Sequence, residues 1–268
     1  MDESNDIEKS GFELSAADPP PFFVMHRDAA SPLMLVCDHA SCRFPEALGD
    51  MGLDPFARRC HLAVDIGAGP LTEYLADSLG LTAVLAQYSR LVVDCNRPLG
   101  SPQSIAEQSA GATVPGNRGL SSEERAARID GLYRPYHESI DQLLDSRCNQ
   151  ATMLLSIHSF TPVLNGQSRP WHVGISHWRD RRLAALLLGA LSRHCDLRVG
   201  DNEPYPIELE TDYTIPQHGG GRGLPSVMIE IRQDGIGTDD AASAWAERLA
   251  DAYRSIEPEA LRLHESWS

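Results

Sequence analysis

The stretch 153-MLLSIHSFTP-162 decides the fold class, because an apolar run of strand length leads directly into ionisable side chains. Residues 152–157 lack the alternation of polar and apolar side chains, which is typical of a strand whose two faces are both covered by helices. His158 and Ser159 follow that run. Taken alone, His158 could be a buried structural imidazole or a side chain that the strand presents to a functional site.

Other apolar segments have the same character, and helical patterns lie between them. The predicted strands are Leu33–Cys37, Thr82–Ala86, Leu91–Asp94, Thr152–Ile157, His172–Ser176 and Ser226–Ile231. The predicted helices are Pro70–Leu79, 121–146 with a kink at Pro135, Asp180–His194 and Asp240–Ile256. This alternation predicts a single three-layer α/β domain, in which a mostly parallel or mixed sheet has helices on both faces.

Charge and composition restrict the possible partners. The 268 residues carry a formal net charge of -15, which argues against nucleic acid or an anionic membrane and leaves room for a small anionic substrate held by local arginines. The polar, acidic residues 1–20 predict a flexible arm ahead of one domain at 21–268. Without an apolar run near the roughly 20 residues that cross a bilayer, or a signal peptide, we expect a cytoplasmic protein.

Several predicted strands end in side chains that can do chemistry, and ligands of open α/β sheets bind beyond the carboxyl ends of the strands. Each residue also has an ordinary structural explanation, such as a capped loop histidine or a solvated turn. A carboxylate inside the last strand is harder to explain, because burial costs several kcal/mol unless a partner such as Arg232 neutralises it. The residues in question are His39, Asn96, Arg97, His158 and Glu230.

An aspartate could complete a metal site with the two separated histidines. Two histidines and one carboxylate form a set typical of catalytic zinc, which keeps a fourth position open for water. Asp65 lies in 60-CHLAVDIGAGP-70, where it could also be an ordinary helix cap. His61 lies four residues earlier and is either a rival ligand or a partner of the ligands.

Seven stretches resemble the N-formylglutamate amidohydrolase family, in the family's order across residues 33–235. They are CDHAS, HLAVDIGAGPL, YSRLVVDCNRP, GNRGLS, SIHSFTP, TDYTIPQHG and GLPSVMIEIRQD. The resemblance implies a phosphorylase/hydrolase-like α/β fold, like that of zinc exopeptidases. It also implies a metal-dependent amide hydrolase that releases formate or a short acyl group from a small anionic N-acyl amino acid, in amino-acid degradation such as histidine catabolism.

A looser resemblance to zinc carboxypeptidases implies individual roles. Zn²⁺ or another divalent metal would be held by His39, Asp65 and His158. Glu230 would be the general base toward metal-activated water, and Arg90 would polarise the scissile carbonyl. Asn96 and Arg97 would hold the substrate carboxylate, with Ser159 and Arg118 as further substrate contacts.

The sequence departs from the family pattern after the first strand. His39-Ala40-Ser41 stands where better-studied members carry His-Ser-Gly, and the gap from His39 to Asp65 is long. A carboxypeptidase or deacylase for another small amide, and a non-catalytic carboxylate-binding relative, therefore remain alternatives. The glycine-rich residues 218–223 are either a mobile flap that brings His218 and Arg222 to the site or a surface turn.

Overall fold

The computed structural model describes residues 12–263, and a seven-stranded sheet forms its centre. The strands lie in the order β1-β3-β2-β4-β7-β5-β6. Strands β3, β2, β4 and β7 are mutually parallel, whereas β1 and β5 run antiparallel to β3 and β7. The predicted mixed sheet is therefore confirmed. Its strands are β1 (Phe22–Met25), β2 (Leu33–Cys37), β3 (Thr82–Ala86), β4 (Met153–Phe160), β5 (Val173–Ser176), β6 (Val199–Asp201) and β7 (Ser226–Arg232).

Helices cover both faces of the sheet, as the sequence predicts. Odd-numbered residues of β4, such as Leu155, share a core cluster with three helices on one face. Even-numbered residues, such as Leu154, share a second cluster with a helix on the other face. The first face carries α1 (Ala68–Leu79), α4 (Arg182–Leu191) and α5 (Asp239–Leu261), and the second carries α3 (Arg134–Asp145), which follows α2 (Ser122–Arg128).

The predicted kink before Pro135 is a π-helical turn at Ile129–Tyr133, between α2 and α3. The amide of Arg134 donates to the carbonyl of Ile129, five residues earlier. Pro135 has no amide hydrogen to continue an ordinary helical ladder, so the wider turn accommodates it. The turn also sets which residues of α3 face the sheet.

The predicted strand Leu91–Asp94 is wrong, because these residues form turns beside the sheet. The amide of Val92 donates to the carbonyl of Ser89 at 2.9 Å, and the amide of Asp94 donates to the carbonyl of Ser104 at 2.7 Å. Leu91 and Val92 are apolar because they are buried in a third core cluster rather than because they are extended.

The predicted N-terminal arm falls partly outside the described residues, which begin at Phe12. Phe12 and Leu14 pack against the third core cluster, and the Tyr88 hydroxyl donates to the carbonyl of Pro19 at 2.7 Å. Residues 12–20 therefore lie against the body of the domain. Within residues 12–263, no helix combines the length and the apolar character needed to cross a membrane.

Candidate active site

A cavity of about 460 Å³ lies at the carboxyl ends of β2, β4 and β7. Its position follows from strand register: His158 of β4 lies beside Glu230 of β7, and both are even-numbered residues on the face that α3 covers. His39 lies two residues after the end of β2 and reaches the same cavity. Three parallel strands therefore bring distant parts of the chain to one point.

The structure brings together the three predicted metal ligands. Asp65 Oδ2 lies 3.2 Å from His39 Nδ1 and 2.8 Å from His158 Nδ1. One candidate ligand atom from each residue lies within 4.8 Å of the others. His61 lines the cavity but does not belong to this group.

Close backbone packing explains how Asp65 reaches His39 across 26 residues. The Asp65 amide donates to the His39 carbonyl at 3.1 Å. A Cβ atom at Gly69 would lie 2.6 Å from the carbonyl oxygen of Ala40, so only glycine allows the start of α1 to approach this loop. The GAG sequence after Asp65 therefore permits the approach that places its carboxylate.

The outer nitrogen of each histidine faces a further carboxylate. His39 Nε2 lies 2.7 Å from Asp94 Oδ1, and His158 Nε2 lies 3.1 Å from Asp38 Oδ2. Carboxylates in this position fix the orientation and tautomer of metal-binding imidazoles. Both Nδ1 atoms are thereby directed toward Asp65.

Asp38 was not singled out from the sequence, although it directly follows the buried strand β2. Its side chain is completely enclosed, and its Oδ1 accepts hydrogen bonds from the hydroxyls of Tyr136 and Thr214, at 2.8 and 2.7 Å. Burial raises the pKa of this carboxyl, but the hydrogen bond and charge of His158 outweigh that effect and lower it. The rule that strand ends carry functional residues would have found it.

Glu230 differs from the aspartates around it. Its residue is 5 % exposed, and its Oε2 atom has no hydrogen-bond partner among residues 12–263. Burial raises its pKa to about 7. In contrast, the pKa of Asp65 is held well below its usual value, because the charges and hydrogen bonds of His39 and His158 outweigh burial. Glu230 is thus the carboxylate best suited to accept and return a proton near neutral pH.

The donor set fits a divalent cation. Four buried carboxylates, those of Asp38, Asp65, Asp94 and Glu230, surround the two imidazoles. Within residues 12–263, Arg90 is the only arginine or lysine within 4.0 Å of any of them. This excess of buried negative charge is costly unless protons or a cation offset it. Two imidazole nitrogens and a carboxylate oxygen are also ligands that Zn²⁺ prefers.

Arg90 bridges two of these carboxylates. Its Nε and Nη2 atoms donate to Asp94 Oδ2 at 3.0 and 2.7 Å, and its Nη1 donates to Asp65 Oδ1 at 3.2 Å. Arg90 lines the cavity, where the sequence predicts it to polarise a carbonyl. Its present contacts are those of a residue that holds Asp65 and Asp94 in position.

Asn96 and Arg97 also line the cavity and are fixed by the segment 211–214. Asn96 Oδ1 accepts from two successive backbone amides of that segment at 3.0 Å, and its Nδ2 donates to Asp212 Oδ1 at 3.2 Å. Arg97 Nη1 donates to the carbonyl of Thr211 at 2.6 Å. Both predicted substrate contacts therefore depend on a segment more than 100 residues away in the chain.

Arg169 is a cavity residue that sequence reasoning missed. It is 7 % exposed, and its guanidinium donates to the carbonyl and hydroxyl of Thr161 and to the hydroxyl of Tyr205. It also lies over the rings of Phe160 and Tyr205, at 5.0 and 5.1 Å from their centroids. No carboxylate within residues 12–263 lies within 4.0 Å of it. Arg169 follows an exposed hairpin, in which Val163–Leu164 pairs with Gln167–Ser168. It therefore does not lie at the end of a main-sheet strand, where the sequence analysis looked for functional residues.

The remaining predicted contacts have different positions. Ser159 lines the cavity, and its hydroxyl donates to the carbonyl of Ile66 at 2.9 Å. Arg118 is exposed and is absent from the cavity wall. His218 is fully buried and does not line the cavity, while Arg222 pairs with carboxylates of α3. None of residues 218–223 lines the cavity; residues 220–223 form an exposed surface turn, as one of the two alternatives predicts, whereas His218 and Gly219 are buried.

Comparisons with known proteins agree with this architecture. An N-formylglutamate deformylase from Pseudomonas putida is 33% identical over 255 residues, which cover 88% of this chain and 93% of that protein. The crystal structure of an Agrobacterium tumefaciens gene product has a TM-score of 0.86 at 35% identity, and the match covers 91% of this chain and 99% of that chain.

A third protein shares the fold at lower identity. The N-formylglutamate amidohydrolase from Ralstonia eutropha has a TM-score of 0.67 at 20% identity, over 90% of this chain and 98% of that chain. The sequence model of the N-formylglutamate amidohydrolase family matches residues 31–237, which contain every ligand candidate described above. The prediction of an enzyme that hydrolyses linear amide bonds is confirmed, and the chain belongs to the N-formylglutamate amidohydrolase family.

Proposed function

We propose that this protein is a metal-dependent deformylase that hydrolyses N-formylglutamate to formate and glutamate. One observation carries the proposal: the candidate ligand atoms of His39, Asp65 and His158 converge in a cavity that also contains Glu230, whose Oε2 atom has no hydrogen-bond partner among residues 12–263. A site that only binds a carboxylate has no need of a buried proton acceptor. The cavity, at about 460 Å³, has the size of a small-molecule site.

His39, Asp65 and His158 would hold Zn²⁺ or another divalent metal. When bound, such an ion supplies Lewis acidity, which polarises an acyl carbonyl and makes water more acidic. Asp94 and Asp38 keep both imidazoles oriented toward it. Arg90 holds Asp65 and Asp94 in place, a role that its contacts favour over direct polarisation of the substrate.

Glu230 would move the proton. As the oxygen of water attacks the formyl carbon, the Glu230 carboxylate takes a proton from that water. The carbon–nitrogen bond then breaks, and Glu230 returns the proton to the nitrogen of the leaving amine. Burial raises the pKa of Glu230 to about 7 in the metal-free protein, so this carboxylate takes up a proton more readily than the aspartates around it.

Arg169 points to a substrate with two carboxylates. The Arg97 guanidinium is partly offset by Asp212, which lies 3.7 Å away, whereas Arg169 is buried without a carboxylate partner among residues 12–263. A buried guanidinium of this kind gains most from a ligand anion, which it can bind through two parallel hydrogen bonds. We assign one substrate carboxylate to Asn96 and Arg97, and the other to Arg169.

A substrate panel tests the proposal. Formate release is measured for N-formyl-L-glutamate, for N-formyl-L-glutamine without the side-chain carboxylate, and for N-acetyl-L-glutamate by acetate release. We expect the first to have the highest kcat/KM. Preference for the acetyl compound would indicate a different deacylase, and no turnover with stoichiometric metal would contradict the proposal. Products of this reaction suit amino-acid degradation; histidine catabolism and a cytoplasmic location stay predictions.

A further inference from the structure

One face of the helix α3 and its preceding turn supports the cavity from behind. The hydroxyl of Tyr133 donates to the carbonyl of Arg97 at 3.1 Å, and the hydroxyl of Tyr136 donates to Asp38. His137 Nε2 lies 2.9 Å from the carbonyl oxygen of Cys95. That carbonyl lies between Asp94, which faces His39, and Asn96, which we assign to the substrate carboxylate.

We propose that His137 is a positioning residue, which acts through the Cys95 carbonyl to hold Asn96 and Arg97 in the geometry that binds the substrate carboxylate. The proposal rests on the function proposed above for those two residues. His137 touches neither the cavity nor any candidate metal ligand. It therefore acts through the residues that it contacts: the loop 94–97 directly, and the segment 211–214 by way of His218 and the ring of Tyr213.

The hydrogen-bond partners of His137 determine which of its two ring nitrogens carries the proton. A carbonyl can only accept, so the proton of the ring lies on Nε2. Burial lowers the pKa of His137 to about 3, which keeps the ring neutral and leaves Nδ1 as an acceptor. Among residues 12–263, the hydrogen-bond partner of Nδ1 is Nε2 of His218, at 2.9 Å, which must therefore donate. His218 thereby selects the tautomer in which His137 can hold the Cys95 carbonyl.

His218 is itself anchored to α3. Its Nδ1 lies 3.1 Å from Asp141 Oδ1, a contact that becomes a hydrogen bond when the ring carries a proton on both nitrogens, although burial lowers the pKa of His218. Arg222 Nη2 donates to the same carboxylate oxygen at 2.7 Å. The two imidazoles stack at 5.1 Å with an angle of 21° between their planes. The result is a continuous chain of contacts that begins at the exposed Arg222, passes through Asp141 and the two buried imidazoles, and ends at the carbonyl of Cys95.

The same chain supports Asn96 and Arg97 from a second direction. His218 lies in the π-helical turn Ile215–Gly219, which directly follows the segment 211–214 that binds both residues. His137 and His218 are 5 % and 0 % exposed, so water cannot replace either contact. Two histidines that only filled space would not need to link the loop 94–97 with the chain that follows the segment 211–214, which binds Asn96 and Arg97.

Steady-state kinetics of His137 variants test the proposal. His137→Phe keeps an aromatic ring but removes both hydrogen bonds, and we expect KM for N-formyl-L-glutamate to rise about tenfold while kcat changes less than about threefold. Metal content should equal that of the wild type. His137→Gln keeps a donor and should recover most of the loss. If His137→Phe does not fold, His218→Leu takes its place in the test. It removes the donor to Nδ1 of His137 and should raise KM about threefold.

Leu187→Ala, in α4 on the opposite face of the sheet, is the destabilising control and should leave KM unchanged. An unchanged KM in folded His137→Phe would overturn the proposal, and so would a fall in kcat alone or a glutamine variant no better than phenylalanine.

Hydrogen exchange separates this inference from the proposed function. Amides of residues 94–97 should exchange about tenfold faster in His137→Phe than in the wild type, and those of β4 should not change. This readout stands even if the wild-type enzyme fails to hydrolyse any N-formyl amino acid. Unchanged exchange at 94–97 would show that His137 does not hold this loop.

Discussion

The two sides of the cavity use charge in opposite ways. The first side, here called the metal side, contains the proposed ligands His39, Asp65 and His158. Neighbouring carboxylates and strands hold these residues, and almost all of their side-chain nitrogen and oxygen atoms have hydrogen-bond partners. The second side, here called the carboxylate side because we propose that it binds the substrate carboxylates, contains Arg97 and Arg169. Both lie in loops and donate mainly to carbonyls and hydroxyls. The first side carries an excess of buried negative charge, which protons or a bound cation would offset, whereas the second carries positive charge, which an anionic ligand would offset.

The largest effect should come from breaking the metal side itself. His158→Ala removes one of the three proposed ligands, and we expect metal content to fall well below one per chain. Without the ion, activity should drop by about 10⁴-fold or more, because its Lewis acidity lowers the barrier of the chemical step. Elemental analysis and formate release from the same preparation check this. If the metal-free variant turned over the substrate like the wild type, His158 would not be required for activity.

Glu230→Gln should separate proton transfer from metal binding on the same side. The amide is nearly isosteric but cannot accept the proton from water, so we expect kcat to fall by about 10³-fold. Metal content and KM should stay close to those of the wild type. Near wild-type turnover would show that another group is the base.

Arg169→Met tests the carboxylate side. The substitution removes a charged hydrogen bond worth about 2 kcal/mol, so KM for N-formyl-L-glutamate should rise about 30-fold. N-formyl-L-glutamine, which lacks the second carboxylate, should be affected far less. Arg118→Met is the matched control, because Arg118 is an exposed arginine outside the cavity wall. An equal rise in KM for both substrates would contradict the assignment of Arg169 to the second carboxylate.

The smallest effect concerns stability without metal and depends on pH. The pKa of Glu230 is raised from 4.5 to about 7, so folding favours its protonated form. The stability that this gives is present below about pH 4.5 and is lost as pH rises through 7, by up to about 3 kcal/mol. In metal-free protein, Glu230→Gln should therefore gain stability over the wild type between pH 5 and 8. A pH-independent difference in urea unfolding would argue against the elevated pKa.

Sequence reasoning located the metal side better than the carboxylate side. His39, His158 and Glu230 follow or lie in apolar strands, and parallel strands must bring their carboxyl ends to one edge. Asp65 lies 26 residues after His39 in the sequence, and the two meet because the chain packs closely at Gly69. Sequence periodicity does not reveal such packing.

The carboxylate side depends on contacts between loops distant in sequence. Leu91–Asp94 has the composition of a strand, yet its residues turn because a separate core cluster accepts their side chains. Arg169 and His137 carry no local signal, since one follows a surface hairpin and the other lies on an ordinary amphipathic helix. Tertiary contacts, rather than local pattern, determine where both side chains lie.

The most direct test of the account follows activity and metal together. Protein stripped with a chelator is titrated with Zn²⁺ while formate release from N-formyl-L-glutamate is measured at each step. The account predicts that activity rises in proportion to bound metal and reaches its plateau at about one ion per chain. Full activity in protein that retains less than about one metal ion per ten chains would contradict it.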